Sequence, residues 1–197
     1  MNIELLYALM GFAVVSSITP GPNNLMLMSS GANYGFKSTI PHMLGVGLGF
    51  TFMIALVGLG IMQLFDAFPI TYSILKIASL IYLVYLAIKI ATAGPANTET
   101  SRQSRPMTFM QAAAFQWVNP KAWTMALTAI SVYAPSHSLI AVLTVALVFG
   151  ALNIPCITSW ILLGQKIQVF LTNPIRLRVF NIIMALMLLG SLYPALV

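Results

Sequence analysis

Two short polar motifs are where this apolar chain could hold a polar ligand: Thr19-Pro20-Gly21-Pro22-Asn23-Asn24 and Asn119-Pro120-Lys121. Proline has no backbone N–H, so each motif frees carbonyl groups within what otherwise reads as greasy helix. Pro20 and Pro22 flank Gly21, and a regular helix cannot pass through them. The chain is expected to restart as helix with Asn23 or Asn24 near the cap. A fresh helix N-terminus offers unpaired N–H groups and partial positive charge, which suit a carboxylate. The carbonyls freed ahead of Pro20 and Pro22 suit an ammonium. A zwitterionic amino acid presents both groups. A proline kink made only for packing is the plain alternative, but Pro-Gly-Pro-Asn-Asn is more than a kink requires.

The second motif continues back to Gln116. Its Lys121 falls about fourteen residues into an apolar stretch, roughly 21 Å at the helical rise. A cation near the bilayer centre costs at least about 2.5 kcal/mol, so it should face protein or a wet cavity. There it could bind a carboxylate or lose its proton. The alternative is a structural lysine held by the carbonyls of the opposite break. Asn153 and Pro155 are expected to break a later helix and line the same cavity. His42 could shuttle protons, although a lone histidine is more often a hydrogen-bonded structural residue. Lys76 reads as a snorkelling side chain, and Cys156 as a small buried residue. Gly45-x-x-x-Gly49 fits a close-packing seam, within one chain or between copies.

What is missing narrows the chemistry. No Asp or Glu lies deep in an apolar stretch, and no cluster of metal ligands, hydrolase motif or phosphate loop is present. The expectation is a protein that is not an enzyme, with no metal and no cofactor.

The elements that must position these residues follow from composition. The 197 residues are 59% hydrophobic and 6% charged, against roughly 25% charged in a soluble domain. Residues 5–36 and 38–65 carry no charge, and 122–165 contain only His137 as a possible one. A span needs about 20 apolar residues, so the chain reads as an all-α integral membrane protein. Six spans are expected, near 4–27, 40–64, 69–91, 107–133, 138–163 and 177–196, with the first and fourth interrupted. The N-terminus lacks a basic region and a cleavage site, so it does not read as a signal peptide. Gly94 to Pro106 is polar and reads as a linker. It divides a single transporter domain, 1–197, into halves 1–93 and 107–197. Three spans per half force opposite orientations, the arithmetic of an inverted repeat, and interrupted spans in corresponding positions point to a transport site.

Lys37, Lys89, Arg102, Arg105, Lys166, Arg176 and Arg178 all fall at connections on one face, and the other face receives none. That bias places the linker in the cytoplasm and both termini on the opposite side. It also accounts for the net charge of +6 without nucleic acid. The expected partners are a small amino acid and membrane lipid; a homo-oligomer is left open.

Thr19 to Asn24, Ser29-Ser30, Gly35-Phe36, the glycine-rich second span, Tyr82-Leu83-x-Tyr85-Leu86-x-x-Lys89 and Asn119-Pro120-Lys121 resemble the LysE/RhtB amino-acid exporters over nearly the whole chain. The Asn-Asn after Pro-Gly-Pro is similar to the branch that contains the cysteine and O-acetylserine exporter; many relatives carry an acidic residue where Asn23 stands. The resemblance implies secondary export of a small neutral amino acid (cysteine, O-acetylserine, homoserine or threonine-like) across a bacterial inner membrane. Proton antiport or exchange would drive it, and both termini would be periplasmic. Thr19, Pro20, Gly21, Pro22, Asn23, Asn24, Gln116, Asn119, Pro120, Lys121 and Asn153 are the candidate binding residues; Lys121 and His42 are the candidates for proton coupling. The rival readings are a passive channel, a structural membrane subunit, or an exporter of another small polar solute.

Overall fold

The computed structural model describes residues 2–93, 105–134 and 138–191, and every regular element among them is a helix. Most of the expected linker, 94–104, and the expected turn at Pro135 and Ser136 lie outside the described residues. The helices are α1 (Ile3–Ile18), α2 (Pro22–Gly58), α3 (Ile61–Ala67), α4 (Ile70–Ala91), α5 (Phe109–Phe115), α6 (Pro120–Tyr133), α7 (Leu139–Gln168) and α8 (Pro174–Gly190). A 3-10 turn, Gln116–Val118, ends α5. Three of them, α2, α4 and α7, are long and apolar enough to cross a membrane.

The first interruption falls where the prolines require it. α1 stops at Ile18, Thr19 to Gly21 is extended, and Pro22 takes the first helical position of α2, where its missing N–H costs nothing. The second is its counterpart, with Asn119 extended and Pro120 opening α6.

Several expected boundaries move. Residues 28–34, expected to leave the membrane, stay helical, and Gly35 alone turns the chain with φ 78° and ψ 171°. Essentially only glycine occupies that backbone region. Across the turn the Ser30 and Thr39 hydroxyls lie 2.9 Å apart, so the two arms of α2 fold towards each other. Pro41 sits inside the second arm, which ends at Gly58 ahead of the turn at Gly60 (φ 100°). α7 runs unbroken through Asn153 and Pro155, contrary to the expected break. A lone proline removes only the N–H that would serve the carbonyl four residues back, here Ala151 O, and the close packing of α2 on α7, with Gly47 against Ile154 and Gly31 against Ile161, goes with a helix that continues through it.

α7 is the central post. A β-carbon on Gly164 would strike the Met28 carbonyl oxygen, and one on Gly31 would strike that of Ile161, so the first arm of α2 crosses α7 backbone to backbone. The second arm lies along it, with Gly47 against Ile154 and Gly58 against Val142. The Gly45–Gly49 seam packs within the chain: the first glycine meets Phe109 and Ala112, the second Ala113 of α5. One apolar core gathers Phe50, Phe149, Leu9 and Ala126 from α2, α7, α1 and α6. A second joins α2, α4, α5, α7 and α8 through Met26, Leu83, Phe115, Ile161 and Leu188. On α1 only Leu9, Ala13 and Ser17 are buried, one stripe at four-residue spacing; Phe12 packs beside it on Tyr133 and Phe149, and Ile3, Tyr7, Met10, Val14, Val15 and Ile18 are exposed, as a membrane helix allows.

Candidate functional site

The two interruptions meet. Lys121, at the second position of α6, extends its ammonium to the first break and donates to Thr19 O at 2.8 Å, Thr19 Oγ1 at 2.9 Å and Pro20 O at 3.2 Å. Gly21 makes room for it, because a β-carbon there would lie 2.6 Å from Lys121 Cδ. Its φ of −177° is ordinary extended backbone, so space rather than conformation calls for glycine.

Every carbonyl from Val15 to Gly21 finds a donor. The Thr19 N–H reaches Val15 O and the Thr19 hydroxyl reaches Ser16 O. Asn24 Nδ2 donates at 2.8 Å to both Ser17 O and Thr19 O. Trp160 Nε1, from α7, donates to Ile18 O at 3.1 Å. Lys121 serves Pro20 O, and the Leu25 N–H serves Gly21 O. Unpaired backbone at membrane depth is satisfied by protein or by a wet cavity; for the acceptors of this break, protein suffices.

The donors are treated differently. Asn119 caps its own helix, its side chain accepting the Lys121 N–H at 3.1 Å. The cap of α2 is Gly21 and no side chain closes it. Asn23 and Asn24, expected near the cap, stand one and two residues inside, because Pro22 with its fixed φ takes the first helical place. Asn23 pairs its amide with that of Gln116, Nδ2 to Oε1 at 2.8 Å and Nε2 to Oδ1 at 3.2 Å. The open start of α2 thus leaves its first N–H groups without an intrahelical partner.

Beside it is a small cavity of about 20 Å³, room for a water molecule, lined by Ser17, Gly21, Asn23, Asn24, Asn119, Lys121 and Asn153 among others. Asn153 is 4% exposed; its Nδ2 donates to Ser17 Oγ at 3.0 Å, and its Oδ1 has no partner. A buried amide oxygen left unpaired costs about 1–3 kcal/mol. A wider cleft of about 440 Å³ adjoins, reached past Pro20, Pro22, Pro120 and Lys121 and walled by Phe12, Thr124 and Thr128.

Of the sequence candidates, Gly21, Asn23, Asn24, Asn119, Lys121 and Asn153 line the cavity; the three prolines border the cleft, Thr19 holds Lys121, and Gln116 holds Asn23. His42 is elsewhere, buried in a second cavity with Ser29, Asn33 and Lys89. Lys76 is exposed on α4. Sequence reasoning missed Ser17 and Trp160, ordinary residues until the fold brings them to the break. It also missed the buried pair Asn33 and Asn181, whose amides bond reciprocally at 2.8 and 3.1 Å; two lone asparagines in apolar helices were the available signal.

The family model described as LysE type translocator matches residues 14–191. Cysteine/O-acetylserine efflux proteins are similar along the whole length: that of Escherichia coli K12 is 30% identical over 190 residues, 95% of each chain, and so is that of Shigella sonnei. A third, from Escherichia coli O139:H28, is 29% identical over 191 residues, 96% of each chain. No solved structure matches.

Proposed function

Because this chain belongs to the LysE-type translocator family, we propose that it exports a small neutral amino acid through the cavity where its two helix breaks meet. The family is one of membrane transporters and not of enzymes. The names of the relatives direct the choice of substrate to cysteine and O-acetylserine; homoserine and threonine-like solutes are the further candidates that the sequence resemblance implies. The substrate carboxylate is read onto the uncapped start of α2, where N–H groups and helix dipole attract an anion. The ammonium is read onto Asn153 Oδ1, with the Ser17 hydroxyl beside it.

The observation that carries this reading is the unpaired Asn153 oxygen facing a cavity next to an uncapped helix start. An acceptor and a set of donors stand open at one small cavity, the adjoining cleft of about 440 Å³ supplies the room, and a zwitterion complements both. The sequence-based placement of the ammonium on the Thr19 and Gly21 carbonyls changes accordingly, since those oxygens already have donors.

The transport cycle is read as alternating access in a bacterial inner membrane. The six crossings are α1 with the first arm of α2, the second arm of α2, α4, α5 with α6, α7, and α8. The halves 1–93 and 107–197 rock about the shared site as inverted repeats, with the basic connections in the cytoplasm and both termini in the periplasm. Proton antiport or exchange supplies the driving force, with Lys121 and His42 as the titratable candidates.

Counterflow in proteoliposomes tests the function. Vesicles preloaded with unlabelled L-cysteine under reducing conditions, or with L-serine or L-threonine, should accumulate the labelled amino acid transiently. Asn153→Ala should cut the initial rate at least about tenfold, the equivalent of one charge-assisted hydrogen bond. Wild-type vesicles that show only non-saturable equilibration across the panel would replace this reading with a passive channel.

A further inference from the structure

The cavity around His42 belongs to neither break and has a built character of its own. It measures about 50 Å³ and lies between the two arms of α2, the C-terminal end of α4 and the segment entering α5. His42 is 2% exposed, and neither ring nitrogen has a hydrogen-bond partner. Buried polar groups without partners are rare and call for an explanation. A neutral imidazole offers one N–H donor and one acceptor, and here both stand idle. Ser29, Ser30 and Asn33 supply further polar surface, though their own hydrogen bonds are made. Lys89, half-buried, and Arg105, exposed, line the same cavity. Among the described residues no acidic side chain lines it and no salt bridge neutralises either cation. Two cations with no acidic neighbour among the described residues and an unpartnered imidazole make a site for an anion small enough to enter.

We propose that this cavity is a second ligand site, which receives the carboxylate of the amino acid at the basic face before the molecule passes to the break. The proposal rests on the exporter reading above. Lys89 and Arg105 concentrate the anion at the opening, and the His42 N–H bonds a carboxylate oxygen once it is inside. The first arm of α2 joins the two sites: Asn23 and Asn24 line one, Ser29, Ser30 and Asn33 the other, about 8–15 Å apart along the helix. Leu25 to Met28, apolar and buried, lie between them, so the solute passes only when the rocking halves open a path.

Two measurements separate this site from the transport site. Everted membrane vesicles present the basic face to the medium, so uptake of labelled L-serine or L-cysteine into them reports capture at that face. Replacing both cations (Lys89→Gln with Arg105→Gln) should raise the uptake KM about tenfold, the lower end of charge-steered capture, while the maximal rate stays within twofold. The KM for counterflow from the opposite face should not move. An unchanged KM at the basic face, or an equal rise at both faces, overturns the proposal. Only two histidines are present, so ring-labelled protein in detergent gives a His42 signal that His42→Gln assigns. Acetate and L-serine should shift that signal saturably and L-serine methyl ester should not. A shift with inorganic phosphate but not acetate marks a phosphate or lipid-headgroup site and overturns the assignment. If wild-type vesicles transport no amino acid while acetate still shifts His42, the carboxylate site stands and the exporter reading falls.

Discussion

Lys121 is the residue on which the two breaks depend. Its three hydrogen bonds cross from α6 to the extended stretch ahead of α2. Lys121→Ala leaves Pro20 O without its donor and removes three of the hydrogen bonds that join the two halves there, the Asn23–Gln116 pair remaining. We expect the variant to insert into the membrane at wild-type abundance and to lose export. Efflux of radiolabelled amino acid from preloaded cells, with the protein quantified in the membrane fraction, checks this; efflux at the wild-type rate would remove Lys121 from the mechanism. The sequence marks this residue plainly, because a lysine deep in an apolar stretch is costly. It does not reveal what the lysine touches. Carboxylate binding was as consistent with its position as carbonyl binding, and only the fold brings Thr19 and Pro20 to its ammonium.

At the scale of elements, helix crossings set the geometry and glycine sets the crossings. The crossing of α2 and α7 at Met28 and Gly164 has no room for a β-carbon, which would meet the Met28 carbonyl oxygen and lie 2.9 Å from its carbon. Backbone cannot give way as a flexible side chain can, and overpacking of this kind costs about 1–3 kcal/mol. Gly164→Ala should lower the thermal midpoint in detergent by several degrees, whereas Gly11→Ala, with nothing within 4 Å, should leave it unchanged or slightly raised. Equal midpoints for the two variants would show that the crossing is not tight. The helices themselves were legible from unbroken apolar runs, and both interruptions from their prolines. Two boundaries were not. Gly35 looks like any glycine in an apolar helix until its positive φ is seen, and Pro155 looks like a third break until α7 is seen to run on through it. Local sequence states where a helix is able to stop; tertiary packing decides whether it does.

For the whole molecule, the proposed direction rests on charge. The C-terminal ends of α4 and α7 and the start of α8 meet where Ile90, Ile167 and Phe180 pack together, which gathers Lys89, Lys166, Arg176 and Arg178 at one end of the bundle. With Lys37 and Arg105 they form the face that lysine and arginine bias assigns to the cytoplasm. A cysteine at Lys37 or Arg176 should react with a membrane-impermeant maleimide in everted vesicles only. One at Phe68, exposed in the turn before α4, should react in right-side-out vesicles only. Labelling in the opposite sense would reverse the direction of transport read from the sequence.

The ammonium of Lys121 on the oxygens of Thr19 and Pro20 has one more consequence. The oxygens of this break are neutralised from within, by a cation the chain carries itself. Under the proposed reading a solute amine is left with Asn153 Oδ1 as its open acceptor. One acceptor in place of several gives weak retention, which suits the proposed release into a dilute exterior.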